Sequence, residues 1–144
     1  MKLSAAILLG STVMTPSPGG MIHDDGSGCA LGMALKATGR PLYVDTVSGL
    51  PRTIAFLRNR ATSRTAWPWL SQDFPVPCSC SRAPCSDGFK IVTHLFDDHV
   101  FGRADWTLEQ LVDWVQSVEH EEETEPQRSP AMAMPVPAKR GATR

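Results

Sequence analysis

Three of the chain's four cysteines and two of its four histidines fall in residues 77–100, "PCSCSRAPCSDGFKIVTHLFDDHV". Thiolate sulfur and neutral imidazole are the donors zinc prefers, usually four of them in a tetrahedron. A window that has to gather such groups constrains the fold more than any other stretch. Its candidate metal ligands are Cys78, Cys80, Cys85, His94 and His99. Cysteines first, two histidines five apart and a helix close behind is an order similar to small zinc modules. The spacing, C-x-C and then x4-C, is not the common C-x2-C knuckle.

Other readings compete for the same residues. A Cys80–Cys85 disulfide would need an oxidising compartment. His94 and His99 could serve strand and turn hydrogen bonds with no metal, or the cysteines could share no site at all. A catalytic variant places a metal on His94, Asp98 and His99 as a hydrolase centre. "HLFDDH" is not H-E-x-x-H, however, and no partner nucleophile or oxyanion hole is visible. Asp97 and Asp98 read instead as a turn that supports a histidine by accepting its ring N–H. Cys29, among Ala, Leu and Gly on a helix, reads as a small buried hydrophobe.

The rest of the chain sets the frame. A length of 144 residues points to one domain, and a net charge of −1 with 42% apolar residues excludes a disordered chain or a generic polyanion binder. Twelve prolines and eleven glycines imply short elements. No apolar run approaches the ~18 residues of a membrane span. "MKLSAAILLGSTVM" has the charged and apolar parts of a secretory signal, but polar interruptions and the lack of a cleavage site favour a first amphipathic helix through Leu3, Ile7 and Gly10.

A second, small-residue helix spans 29–38, with Ser27 as a cap, Gly39 as the stop and Pro41 beyond. "LYVDTV" reads as extended. Pro51 suits the first turn of a third helix whose Leu50, Ile54, Leu57 and Ala61 share a face. "WPWL" is a Pro-broken aromatic turn, and the alternation in "FKIVTHLF" (89–96) predicts a half-buried strand. The last helix opens on a capping box, Thr107 to Gln110. Leu108, Leu111, Val112, Val115 and Val118 form its apolar stripe, widened by Trp114. Residues 120–144, acidic and then Pro/Ala-rich, are expected to be a disordered tail behind a folded 1–119 domain.

Arg52, Arg58, Arg60 and Arg64, with Trp67 and Trp69, make a candidate nucleic-acid patch of phosphate contacts and stacking. A solvated helix face that offsets the acidic tail explains the same charges. "HDDGSG" lacks the alternating acids of a calcium loop and reads as a turn.

"CALGMALKATG" and "HLFDDH…WTLEQLVDWV" resemble a group of short, uncharacterised bacterial and phage-associated proteins. These share the opening helix, the CALG helix, a C-P-x-C pair and a segment like "HLND-H-WTRE-IADWV". The resemblance implies that two of Cys78, Cys80 and Cys85 correspond to the pair. It maps the histidines to His94 and His99, and the opening of the last helix to Trp106 and Thr107. The longer cysteine loop and the inserted "VFGRAD" depart from the pattern. The group implies architecture and brings no activity with it.

The combined expectation is a small, mostly helical α+β domain with a short β-hairpin holding a structural zinc site. The expected role is that of a non-enzymatic, cytoplasmic accessory or regulatory protein presenting a helical surface to a protein partner, without a membrane. Nucleic-acid binding and the metal-dependent hydrolase are the alternatives.

Overall fold

The computed structural model describes residues 1–44 and 52–124. Among them are five α-helices and one two-stranded sheet: α1 Leu3–Val13, α2 Ala30–Ala37, α3 Arg52–Ala66, β1 Asp73–Pro75, β2 Cys85–Asp87, α4 Gly88–His94 and α5 Leu108–Thr124. A 3-10 turn, Pro68–Ser71, follows α3, and a π-helical segment, Leu95–Gly102, continues α4. The domain is thus mostly helical with one antiparallel hairpin, in which Asp73 faces Asp87 and Pro75 faces Cys85.

The first helix buries Leu3, Ala6, Ile7 and Gly10, the face expected from their spacing. It lies against α2 at backbone distance. A Cβ added at Gly10 would meet the Met33 carbonyl oxygen at 2.2 Å, and one at Gly32 would meet that of Met21 at 1.7 Å. Gly10 of α1 permits the close approach to α2, and Gly32 of α2 admits the Met21 backbone of the preceding loop. Gly39 ends α2 in the left-handed conformation, φ 66°, where a side chain is disfavoured. Ser27 does not cap the helix. Cys29 stands at the N-cap position, and the Ser27 hydroxyl is taken by Asp25, two residues back in the turn.

At the start of α5 the capping box closes reciprocally. Gln110 N–H donates to Thr107 Oγ1 at 3.1 Å, and Thr107 N–H donates to Gln110 Oε1 at 2.8 Å. Leu111, Val112, Val115 and Val118 are buried, and Trp114 meets Trp69 edge to face. The helix runs past the expected boundary at Glu119. That residue is buried, and its carboxylate accepts the N–H groups of Leu3 at 3.0 Å and Ser4 at 2.9 Å. Two of the four unpaired donors at the start of α1 are satisfied from the far end of the chain.

One expected element is overturned. Residues 89–96 are not a strand. Asp87 caps α4 by accepting the Lys90 N–H at 2.9 Å, and Phe89, Val92 and Phe96 are buried at helical spacing together with Ile91 and Leu95. The apolar alternation was therefore ambiguous, because this segment is buried on more than one side. The third helix buries a face other than the one shared by its Ile54, Leu57 and Ala61. Ala55, Asn59 and Ser63 point inward, while Ile54, Leu57 and Ala61 are exposed. Asn59 exchanges hydrogen bonds with the Tyr43 backbone, and Ser63 donates to the Asn59 carbonyl, so the buried polar groups are satisfied. Leu50, Pro51, part of "LYVDTV" and the tail beyond 124 lie outside the described residues.

Candidate metal centre

The hairpin loop carries Cys78 and Cys80, while α4 and its π continuation carry the histidines. In an α-helix, residues five apart are rotated by about 140° and point to different sides. The π-helical segment, with its wider i→i+5 turn, brings His94 and His99 to one side, their rings 5.1 Å apart. Both face the loop. The donor atoms of Cys78, Cys80, His94 and His99 all lie within 4.8 Å of one another, close enough to hold a metal ion. Cys78 Sγ is 3.3 Å from Cys80 Sγ and 3.2 Å from His94 Nε2. Cys80 Sγ is 3.2 Å from His94 Nε2 and 3.1 Å from His99 Nε2.

Carboxylates fix both rings from behind. His94 Nδ1 is 2.7 Å from Asp98 Oδ2, and His99 Nδ1 is 2.9 Å from Asp105 Oδ1. Donation of Nδ1–H to a carboxylate leaves the Nε2 lone pair aimed into the cluster, the tautomer a metal requires. Asp98 supports a histidine as expected, from a π-helix and not from a turn. Asp97 serves elsewhere, accepting the Gly19 N–H at 3.2 Å, and partial burial raises its pKa. Asp105 did not stand out in the sequence, because it lies in the stretch that looked like an insertion. Ala104, just before it, takes a left-handed φ of 52°, and the Asp105 and Trp106 N–H groups both donate to the His99 carbonyl.

Proton counting shows what this arrangement lacks. With both Nδ1 atoms donating to carboxylates, two S–H protons remain for four close contacts among sulfur and nitrogen. At least two of those contacts then bring lone pairs together without a hydrogen. The neighbouring Cys78 and partial desolvation hold the Cys80 thiol above its ordinary pKa. A cation at the centre reverses that logic and turns each contact into an edge of a coordination tetrahedron. For zinc–sulfur bonds of about 2.3 Å and zinc–nitrogen bonds of about 2.0 Å, those edges are about 3.4–3.8 Å. The observed edges are slightly tighter.

The remaining candidates are placed apart. Cys85 is exposed at the start of β2 and is not in the cluster. No disulfide joins it to Cys80, since all four cysteines are free. Cys29 is buried, and desolvation pushes its thiol up to about 11. Arg58 lies over the Tyr43 ring, whereas Arg60 and Arg64 lie over Phe89. Arg52 opens α3. Trp67 and Trp69 are core residues, so neither ring is free to stack on a base. Among the described residues no helix is long and apolar enough to cross a membrane. No family model, curated protein or solved structure matches the chain.

Proposed function

We propose that the protein is a small, non-enzymatic, zinc-stabilised accessory or regulatory protein that offers a helical surface to a protein partner. The observation that carries this reading is the convergence of Cys78, Cys80, His94 and His99, with a carboxylate behind each histidine. Two thiolates and two imidazoles form a closed four-donor set, the pattern of structural zinc. The carboxylate of Asp98 is engaged with the outer nitrogen of His94, away from the cluster, which speaks against the His94–Asp98–His99 metal set of the hydrolase reading. Free thiol ligands suit a reducing compartment, and we assign the protein to the cytoplasm on that ground.

The local fold gives zinc a purpose. No residue from Ser71 to Asp87 is buried, so the hairpin has almost no core of its own. A metal that ties its loop to the π-helical segment substitutes for that missing area. Zinc analysis of protein purified without added metal is expected to give close to one equivalent per chain. Cys80→Ser is expected to lower that content sharply and raise proteolysis within the loop. Protein that is metal-free yet resists cleavage there would end the proposal.

A further inference from the structure

The outer side of α3 is an apolar face that, among the described residues, stays exposed. Ile54, Leu57 and Ala61, spaced three and four residues apart, are exposed, the first two by 40% and 52%. Helix periodicity marks these residues as an apolar stripe, and the fold buries the opposite side instead. Cations border the stripe on both flanks. On one side stands Arg58, exposed over the Tyr43 ring. On the other, Arg60 and Arg64 sit one turn apart with their guanidinium carbons 5.5 and 5.7 Å from the centroid of the buried Phe89 ring.

The charges on this face are unbalanced. Among the described residues, Asp87 is the single acidic partner of these three arginines, 3.5 Å from Arg64. It is shared, since it also caps α4 and faces Lys90 at 3.8 Å. Like charges one helical turn apart repel, and an incoming carboxylate relieves that repulsion. Guanidinium groups seated over a ring have less freedom to lose on meeting such a carboxylate.

From the apolar stripe and its cationic borders we infer that α3 docks an amphipathic, acidic segment of a protein partner, its apolar side on Ile54 and Leu57 and its carboxylates on Arg58, Arg60 and Arg64. A nucleic-acid strand fits less well. The arginines stand on two flanks with aliphatic side chains between them, and base stacking needs aromatic faces in a basic groove. The inference rests on the protein-partner reading above and names the partner's chemistry.

The test uses the full chain and two designed helical peptides with the same leucine face, one with a glutamate polar face and one with lysine. The acidic peptide is expected to bind, and to weaken as salt rises. Arg60→Gln with Arg64→Gln should weaken it at least about fivefold. Leu57→Glu, at a position exposed enough to leave folding intact, should abolish it. Millimolar acidic peptide that fails to bind overturns the inference, as does equal binding of the lysine twin or indifference to Leu57→Glu. Tighter binding of a single-stranded oligonucleotide than of the acidic peptide would also overturn it. Zinc content measured on the same samples separates the two proposals: a full complement of zinc without peptide binding refutes this one alone.

Discussion

Glu119→Ala is the substitution whose cost the structure defines best. Glu119 is 5% exposed as a residue, and its carboxylate reaches from α5 to the first turn of α1 and accepts from Leu3 and Ser4, themselves 0% and 7% exposed. Water cannot replace it without opening the α1–α5 contact. Each buried N–H left unpaired costs about 1–3 kcal/mol. A carboxylate at a helix N-terminus adds roughly 0.3–1 kcal/mol through the macrodipole. The expected loss for Glu119→Ala is therefore about 3 kcal/mol, on the order of 10 °C in Tm for a domain of this size. Glu119→Gln keeps one acceptor oxygen and should lose about half as much. Urea unfolding at fixed zinc concentration is the assay, with Glu122→Ala as an exposed control expected to change stability by less than about 0.5 kcal/mol. If the alanine variants at 119 and 122 unfold at the same midpoint, the tie between α5 and α1 contributes nothing and the reasoning fails.

Removing the carboxylate behind His99 tests the centre without touching a ligand. Asp105→Ala should weaken zinc about 10–100-fold in competition with a chelating dye. Unchanged affinity would show that the His99 ring is held by its packing alone. Gly32→Ala should destabilise by about 2 kcal/mol in chemical denaturation although alanine is the better helix former. The added carbon meets the Met21 backbone, which cannot swing aside as a side chain would. A neutral or stabilising result would mean that α2 and the 14–21 loop are not in close contact.

What the sequence made legible was local. The capping box at Thr107, the Gly39 stop and the apolar faces of α1 and α5 are written within one or two helical turns, and each forms as read. Four of the five candidate ligands converge for a related reason. Cysteine and histidine densities stand out in a chain with four of each. The misreadings needed long-range information. Glu119, at the expected end of the folded domain, carried no sign of its role, because its partners are more than a hundred residues away in sequence. Hydrophobicity alone does not show which face of α3 is buried, since Asn59 and Ser63 point inward where the Tyr43 backbone and the α3 carbonyls satisfy them. Asp105 belongs to the site only because the chain turns back on His99.

The π-helical segment explains why the strain and the ligands coincide. An i→i+5 turn packs its backbone less favourably than an α-turn, and such turns persist where something else stabilises them. Two residues beyond the segment, Ala104 stands in the left-handed region, a conformation that costs a non-glycine residue about 1 kcal/mol or more. The start of the segment buries Leu95 and Phe96 in the core, while its end, at Phe101 and Gly102, is exposed. The segment and the left-handed residue both serve His99. The wide turn sets its ring beside that of His94, and the left-handed step delivers Asp105 to its outer nitrogen. The hairpin opposite has no buried residue to hold Cys78 and Cys80 in place. A strained helix and a coreless loop thus meet at four donor atoms, and a single tie between them would stabilise both. In that arrangement the binding of a metal and local folding would be one equilibrium, while the α1–α2–α5 packing stands on its own buried surface.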